Sequence, residues 1–207
     1  MARAADPRHA GHSRSDVIRR GTVVTAALGT GGALAALTRA KPAEAAPPSA
    51  AQDRAIFNFA LLLEYLQAAF YTEAVEHAQL RGDLRNFAEI VSEHEQAHVA
   101  YLRHALGERA RPRPRFDFGN ATKSERAFVK TAVLLENTGV AAYNGQAANL
   151  TKPSLAAAAE IVSVEGRHAA WISDLAGESP APRAVDPGEA SADVVKKLES
   201  LGFLRPS

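Results

Sequence analysis

The residue pattern of one helical hairpin occurs twice in this chain, and this repeat constrains the fold more strongly than any other feature. The offset is 72 residues in one pair of segments, from Glu64 to Glu136, and 70 residues in the other, from Glu95 to Glu165. Leu62-Leu63-Glu64 with Tyr71 recurs as Leu134-Leu135-Glu136 with Tyr143, and Val91, Glu95, His98, Tyr101 and Leu102 recur as Ile161, Glu165, His168, Trp171 and Ile172. This agreement in order and spacing indicates two copies of one helical hairpin.

Periodic apolar residues extend each copy into two long helices. We predict helices over about residues 51–80, 84–106, 122–149 and 152–175, and a short one over about 192–201. Thr122 and Glu125 form a candidate capping box for the third helix, and Pro153 suits the first turn of the fourth. The stretch 108–121 is long enough to cross a bundle. The predicted fold class is all-α: an antiparallel four-helix bundle with a crossover between helices 2 and 3 and a short C-terminal helix.

Composition narrows the chemistry that such a bundle can carry. The chain has 207 residues, no cysteine and a formal net charge of +1. The lack of cysteine excludes disulfides, thiolate metal sites and thiol nucleophiles, so any metal must be held by oxygen and imidazole nitrogen. The small net charge gives no general attraction to nucleic acid or to anionic membranes, so we expect no nucleic-acid partner.

The first 45 residues are typical of a targeting segment. A polar, basic stretch ends in Arg19-Arg20, a weakly apolar run covers residues 21–37, and Ala43-Glu44-Ala45 resembles a cleavage site. The paired arginines resemble the twin-arginine type of signal, although Thr22 stands where a stronger apolar residue is usual. We expect residues 1–45 to be a signal peptide and residues 46–207 an exported domain without stable membrane insertion. An uncleaved membrane anchor and a disordered tail are the alternatives.

Six polar side chains fall on helix faces that should be buried. Glu64 and Glu136 lie among apolar residues at helical spacing, and each of the other two helices carries Glu-x-x-His on its apolar face. Residues three apart are separated by about 60° around a helix and about 4.5 Å along it, so both side chains can reach one interior point. The candidate metal ligands are Glu64, Glu95, His98, Glu136, Glu165 and His168.

Charge gives the stronger reason to expect metal in this interior. Four ionised glutamates carry −4, and two divalent cations carry +4, so the loaded site is neutral. Without cations the bundle would bury like charges, at a cost of about several kcal/mol per uncompensated ion. Carboxylate and imidazole ligands suit iron or manganese, with zinc as a common competitor. We therefore expect two divalent ions; a mononuclear or decayed site and a surface coincidence are the alternatives.

Two tyrosines also belong to the repeat. Tyr71 and Tyr143 lie seven residues, or about two helical turns, after Glu64 and Glu136. Core packing is the favoured interpretation of both rings. A hydrogen bond to the site and an electron relay are the alternatives.

Other polar residues near these positions are weaker candidates. His94 lies one turn before His98, but its repeat partner is Val164, so we predict a peripheral role for it. Glu73 and His77 have the spacing of a metal-binding pair. They fall about half a turn out of phase with the first-helix glutamate, so we predict a solvated face.

Several longer motifs resemble a known family. They are Asn58-Phe59-Ala60-Leu61, Leu63-Glu64-Tyr65-Leu66, Phe116-Asp117-Phe118-Gly119-Asn120, Leu135-Glu136-Asn137-Thr138-Gly139-Val140, Ala142-Tyr143-Asn144-Gly145 and Glu165-Gly166-Arg167-His168-Ala169-Ala170-Trp171. With these motifs the chain, over about residues 53–203, resembles the ferritin-like domain family that includes desiccation-related proteins of plants and their bacterial relatives. The resemblance implies a ferritin-like bundle with its metal positions at the six candidate ligands.

The resemblance leaves three kinds of function open, because one fold serves many activities. The first is redox chemistry of two iron or manganese ions with peroxide or dioxygen, in protection against oxidative or drying stress. The second is a binding or structural role, in which metal stabilises a protein that acts on envelope components. The third, iron storage, requires a hollow oligomeric shell, and the oligomeric state is not predictable from the sequence.

Overall fold

The computed structural model describes residues 47–205, which form five α-helices and two very short strands. The helices are α1 (Ala50–His77), α2 (Gly82–Leu106), α3 (Glu125–Gln146), α4 (Lys152–Leu175) and α5 (Ser191–Leu201). Single 3₁₀ turns follow α2 and α3, at Gly107–Arg109 and Ala147–Asn149. The all-α prediction is confirmed, with helix ends that differ from the predicted ones by up to about three residues.

The four long helices pack as two hairpins. Short turns join α1 to α2 and α3 to α4, and each of these pairs packs along its length, while α1 also contacts α3 and α2 also contacts α4. Pro153 lies in the first turn of α4, where its missing N–H leaves no hydrogen bond unmade. The predicted hairpin repeat is therefore present as two similar helix pairs facing each other.

The crossover between α2 and α3 is fastened by contacts that the sequence did not reveal. Strand β1 (Arg115–Phe116) pairs antiparallel with β2 (Leu204–Arg205), which joins the crossover to the C-terminus. The predicted cap at Thr122 is wrong, since Ser124 caps α3 and accepts a hydrogen bond from the backbone N–H of Ala127. Thr122 is fully buried and instead donates a hydrogen bond to Glu73 of α1.

Helix α5 lies against α3 and adds Val194 and Leu198 to the core. The segment that leads to it runs over the end of α3, where the backbone N–H of Glu189 donates to the carbonyl of Ala141 over 2.8 Å. A Cβ atom at Gly145 would lie 1.8 Å from the carbonyl oxygen of Glu189. Glycine is required here because the two backbones touch.

The core consists of two apolar clusters at opposite ends of the bundle. The larger one contains an aromatic group in which four rings are fully buried; these are Phe70, Tyr71, Phe87 and Phe128. The other is built around Phe57, Leu61, Leu102 and Ile161. The six candidate ligands lie near the middle of their helices, so they fall between these clusters.

The predicted signal peptide lies outside the described residues. Among residues 47–205, none of the helices combines the length and the apolar character that a membrane crossing requires.

Asp53 of α1 fastens the two hairpins together at the start of α4. Its carboxylate is buried and accepts hydrogen bonds from the backbone N–H and hydroxyl of Thr151, over 2.9 and 2.6 Å, and from the hydroxyl of Ser154, over 2.8 Å. Burial alone would raise the pKa of Asp53, but these hydrogen bonds outweigh it and hold the pKa below its ordinary value.

We expect Asp53→Ala to lower the free energy of unfolding by about 1.5–3 kcal/mol at pH 7, the range for hydrogen bonds to a charged group. A carboxyl group with a depressed pKa stabilises the fold above its unfolded pKa of about 3.9, and this contribution is lost as the pH falls through the folded value. Urea denaturation at pH 7 and at pH 3 should therefore give a difference between the two proteins that shrinks in acid. Asp83→Ala, at an exposed residue in the first turn of α2, is the control. An equal loss in both variants would contradict this role for Asp53.

Candidate metal centre

The four long helices bring all six candidate ligands into one buried cluster. Helices α1 and α3 each contribute one glutamate, and α2 and α4 each contribute a glutamate and a histidine three residues later. The four carboxylates are at most 1 % exposed. Glutamate is seldom buried to this extent unless it is paired.

The two histidine rings point their Nδ1 atoms at the carboxylates. Nδ1 of His98 lies 3.3 Å from Glu64, 3.5 Å from Glu95 and 3.2 Å from Glu165. Nδ1 of His168 lies 3.2 Å from Glu95, 3.4 Å from Glu136 and 3.8 Å from Glu165. Each ring therefore faces three carboxylates contributed by three different helices.

The six side chains form two overlapping groups of four. The first, which we call the Glu64–His98 group, consists of Glu64, Glu95, His98 and Glu165; the second, the Glu136–His168 group, consists of Glu95, Glu136, Glu165 and His168. Within each group the candidate ligand atoms lie within 4.8 Å of one another. Atoms on opposite sides of one ion lie about 4 Å apart, twice a metal–ligand bond of about 2.1 Å. Glu95 and Glu165 belong to both groups and could therefore ligate an ion in either one.

The cluster leaves its inward-facing atoms without hydrogen bonds. Eight fully buried side-chain atoms among residues 47–205 lack a hydrogen-bond partner, and all eight belong to the six candidate ligands. They are Oε2 of Glu64, both carboxylate oxygens of Glu95 and of Glu165, Oε2 of Glu136, and Nδ1 of His98 and of His168. An unsatisfied buried polar atom costs about 1–3 kcal/mol, more when charged. Cations at the two groups would satisfy all eight atoms together.

The pKa values differ in direction among the groups of the cluster. Burial, followed by the charge of Glu64, raises the pKa of Glu95 well above its ordinary value; burial and the charge of Glu95 do the same to the pKa of Glu165. Burial opposes the charge of His98, but the close approach of its ring to the carboxylates of Glu165, Glu64 and Glu95 raises its pKa to about 12. Burial also raises the pKa of Glu64, yet His98 outweighs it and the pKa falls below its ordinary value. Burial thus disfavours the charged forms of Glu95 and Glu165, whereas Glu64 and His98 favour their charged forms.

The outer oxygens of the two non-bridging glutamates are held by neighbouring side chains. The hydroxyl of Tyr143 donates to Oε1 of Glu64 over 2.6 Å, and the hydroxyl of Tyr71 donates to Oε1 of Glu136 over the same distance. Burial and these carboxylate charges raise the pKa of both phenols well above the ordinary value, so the hydroxyls stay protonated donors. Core packing, the favoured interpretation of the tyrosines, describes only part of their role.

Two further contacts were missed by the sequence analysis. Nε2 of Gln67 donates to Oε1 of Glu136 over 3.0 Å. Nδ1 of His94 lies 2.9 Å from Nε2 of His168, and the two rings stack with centroids 5.2 Å apart. His94 is exposed and belongs to neither candidate metal group, in agreement with its predicted peripheral role, but its ring contacts the outer nitrogen of a candidate ligand.

Glu73 and His77 do not meet at a metal site. His77 is exposed, and Glu73 accepts its hydrogen bond from Thr122 of the crossover. Neither residue belongs to either candidate metal group among the described residues.

The donor set fits divalent first-row cations. Each group offers three carboxylates and one imidazole, a combination suited to iron, manganese or zinc. Two features are expected of a metal site whose ligands are oriented by hydrogen bonds. These are the orphaned buried atoms and the tyrosines that hold the carboxylates of Glu64 and Glu136. The cluster can therefore hold metal ions, although its residues do not determine which ion.

Comparison with known proteins agrees with this geometry. No curated protein matches the chain. The family model for the ferritin-like domain matches residues 52–178, which is more than half of the chain and includes all six candidate ligands. The chain therefore belongs to the ferritin-like domain family.

Proposed function

We propose that the protein is an exported stress-protection protein that uses a dinuclear iron or manganese centre to react with peroxide or dioxygen. The proposal depends most on one observation: the eight orphaned buried atoms all belong to the six residues of the two groups that could hold a cation. Two redox metals bound next to each other by these residues would supply two electrons to dioxygen or peroxide, or accept two electrons from peroxide.

The residues around the centre are suited to hold such ions and to limit access to them. Glu95 and Glu165 belong to both groups and would be shared by two ions, while Glu64 and Glu136 each present one free oxygen and keep the other bonded to a tyrosine. Apolar clusters lie towards both ends of the bundle from the centre. The six candidate ligands are at most 8 % exposed, so the site suits a small reactant such as peroxide or dioxygen better than a large organic substrate.

We expect Glu165→Ala to reduce peroxide consumption or ferrous oxidation to the background rate of buffer without protein, because a ligand shared by both groups is lost and the variant retains little metal. The rates should be measured with protein loaded with iron or manganese and freed of excess metal. Glu160→Ala is the control, since Glu160 is exposed on the same helix. A wild-type protein that retains its metal but turns over neither substrate would contradict the redox proposal.

A non-catalytic, metal-stabilised envelope or structural protein is the second candidate. The near-complete burial of the carboxylates favours it, because a purely structural ion needs no route for a reactant. Metal that raises the melting temperature without any turnover would support this alternative. A monomer or dimer in light scattering would exclude the third possibility, storage of iron in a shell.

Export is proposed from the sequence of the first 45 residues. We expect the exported protein to begin at Ala46, which N-terminal sequencing can establish, and Arg19→Lys with Arg20→Lys to leave the precursor in the cytoplasm. Export of this variant at the normal level would contradict a twin-arginine route. A full-length chain in the membrane fraction would support an uncleaved anchor instead.

A further inference from the structure

The internal repeat relates the two metal groups to each other. The offset of 72 residues exchanges Glu64 with Glu136, and the offset of 70 exchanges Glu95 and His98 with Glu165 and His168. Applied to the Glu64–His98 group, the repeat therefore produces the Glu136–His168 group. Since the ligands match one for one, any difference between the two groups must come from positions where the repeat fails.

The first such position is Gln67. Its side chain donates to Glu136, so this carboxylate has two donors, Gln67 and Tyr71. The repeat partner of Gln67 is Gly139, which has no side chain to donate to Glu64. A larger residue there would have to displace the carboxylate of Glu165, because a Cβ atom would lie 2.9 Å from its Oε2.

The second position is His94. With Nδ1 of His168 bound to an ion, its Nε2 carries the proton and donates to Nδ1 of His94, which fixes the ring and makes it a better ligand. The repeat partner of His94 is Val164, which offers His98 no such acceptor. Both extra supports therefore act on the same group.

Exposure differs in the same direction. The side chain of His98 is 11 % exposed, whereas that of His168 is 3 % exposed beneath His94. Water thus reaches the histidine of the less supported group. An ion held by fewer fixed ligands and closer to solvent exchanges more readily.

We propose that the two metal sites are unequal, and that Gln67 and His94 make them so. The Glu136–His168 site keeps a resident ion, while the Glu64–His98 site binds its ion more weakly and is the place where metal enters and leaves. This inference rests on the proposed dinuclear centre and assigns a different role to each half of it. Gln67 and His94 are positioning residues that act through Glu136 and His168.

Titration of metal-free protein with Co²⁺, followed by calorimetry and visible absorbance, tests the inequality. The expected result is two ions bound in two steps, with dissociation constants about tenfold or more apart, as loss of an outer hydrogen bond to a ligand typically weakens binding by about 10–100-fold. Glu136→Ala should remove the tight step, and Glu64→Ala should retain it. Two ions of indistinguishable affinity would overturn the inference but leave the dinuclear centre; no binding at all would overturn the centre itself.

Substitution of His94 tests whether this residue causes the difference in affinity between the two sites. His94→Val, which copies the repeat partner, should weaken the tight step about 10–100-fold and leave the weak step unchanged. Adding Val164→His to this variant should strengthen binding at the Glu64–His98 site, because the new histidine would give His98 an acceptor. His104→Val, at another exposed histidine of α2, is the control and should alter neither step. A His94→Val variant that binds both ions as wild type does, or that weakens both steps equally, would overturn the assignment.

Discussion

Replacing either Glu95 or Glu165 by alanine is expected to remove both metal ions from the chain, whereas replacing Glu64 is expected to remove one. The difference arises because Glu95 and Glu165 belong to both groups of ligands, while Glu64 belongs to one. Without a bridge, each group keeps only two carboxylates and a histidine. Removal of Glu64 leaves the Glu136–His168 group complete.

Elemental analysis of purified, desalted protein measures this directly as moles of metal per chain. The expected values are about two for wild type, about one for Glu64→Ala and near zero for the bridging variants, since affinity falls steeply when a ligand is lost. Glu93→Ala, exposed on the helix that carries Glu95, is the matched control and should retain both ions. Helix content from circular dichroism must be compared in parallel. A folded Glu95→Ala protein that still binds two ions would contradict the bridging assignment.

The cluster was predictable from sequence because the repeat doubles a weak signal. A single Glu-x-x-His pair on a helix is commonplace, but two pairs at matching positions, each opposite a glutamate on a neighbouring helix, indicate a common interior point. Helical periodicity then fixes which faces are buried, and the structure places all six side chains there. Local spacing and internal symmetry were sufficient for this part of the site.

The residues that support the cluster were harder to predict, since their partners lie on other helices. His94 was assigned to the periphery because its repeat partner is Val164, yet the packing of α2 on α4 brings its ring to 2.9 Å from His168. Gln67 gave no sequence signal at all. Such contacts depend on the distance and rotation between helices, which periodicity along one helix does not specify.

Two features of the crossover between α2 and α3 were also not predicted from the sequence. Thr122 has the chemistry of a helix cap, but Ser124 caps the helix instead, and Thr122 donates a hydrogen bond to Glu73, which lies 49 residues earlier in the chain. Strands β1 and β2 have two residues each, too few to show any alternation of apolar and polar residues. Both features depend on contacts between residues far apart in the chain, which local sequence patterns do not specify.

Removal of metal by a chelator is expected to lower the free energy of unfolding by about 4 kcal/mol for each ion that is present at a thousand times its dissociation constant. In a chain of this size each kcal/mol corresponds to about 2–4 °C in the melting temperature, so the change should reach tens of degrees. The loss of stability has two causes, the lost binding free energy of the ions and the lost counter-charge to the carboxylates. Without cations the eight inward-facing atoms stay buried and unsatisfied.

A double variant, Glu95→Leu with Glu165→Leu, should reverse the order of stability. It deletes four of the eight unsatisfied atoms and fills their space with apolar side chains of similar volume. Replacement of buried charged groups in this way is often neutral or stabilising by about 1–4 kcal/mol. In chelator the variant should therefore equal or exceed wild type, and in excess metal it should be much less stable.

Thermal unfolding of both proteins, each with chelator and with Mn²⁺, gives the four values that this comparison needs. Glu93→Leu adds an apolar residue at an exposed position of α2 and should leave the response to chelator unchanged. The order of stability must reverse if cations supply the missing counter-charge. A wild-type protein equally stable with and without metal, and more stable than the double variant in chelator, would mean that protons and the pairing of His98 with Glu64 already satisfy the interior. In that case the buried carboxylates would give no reason to expect metal.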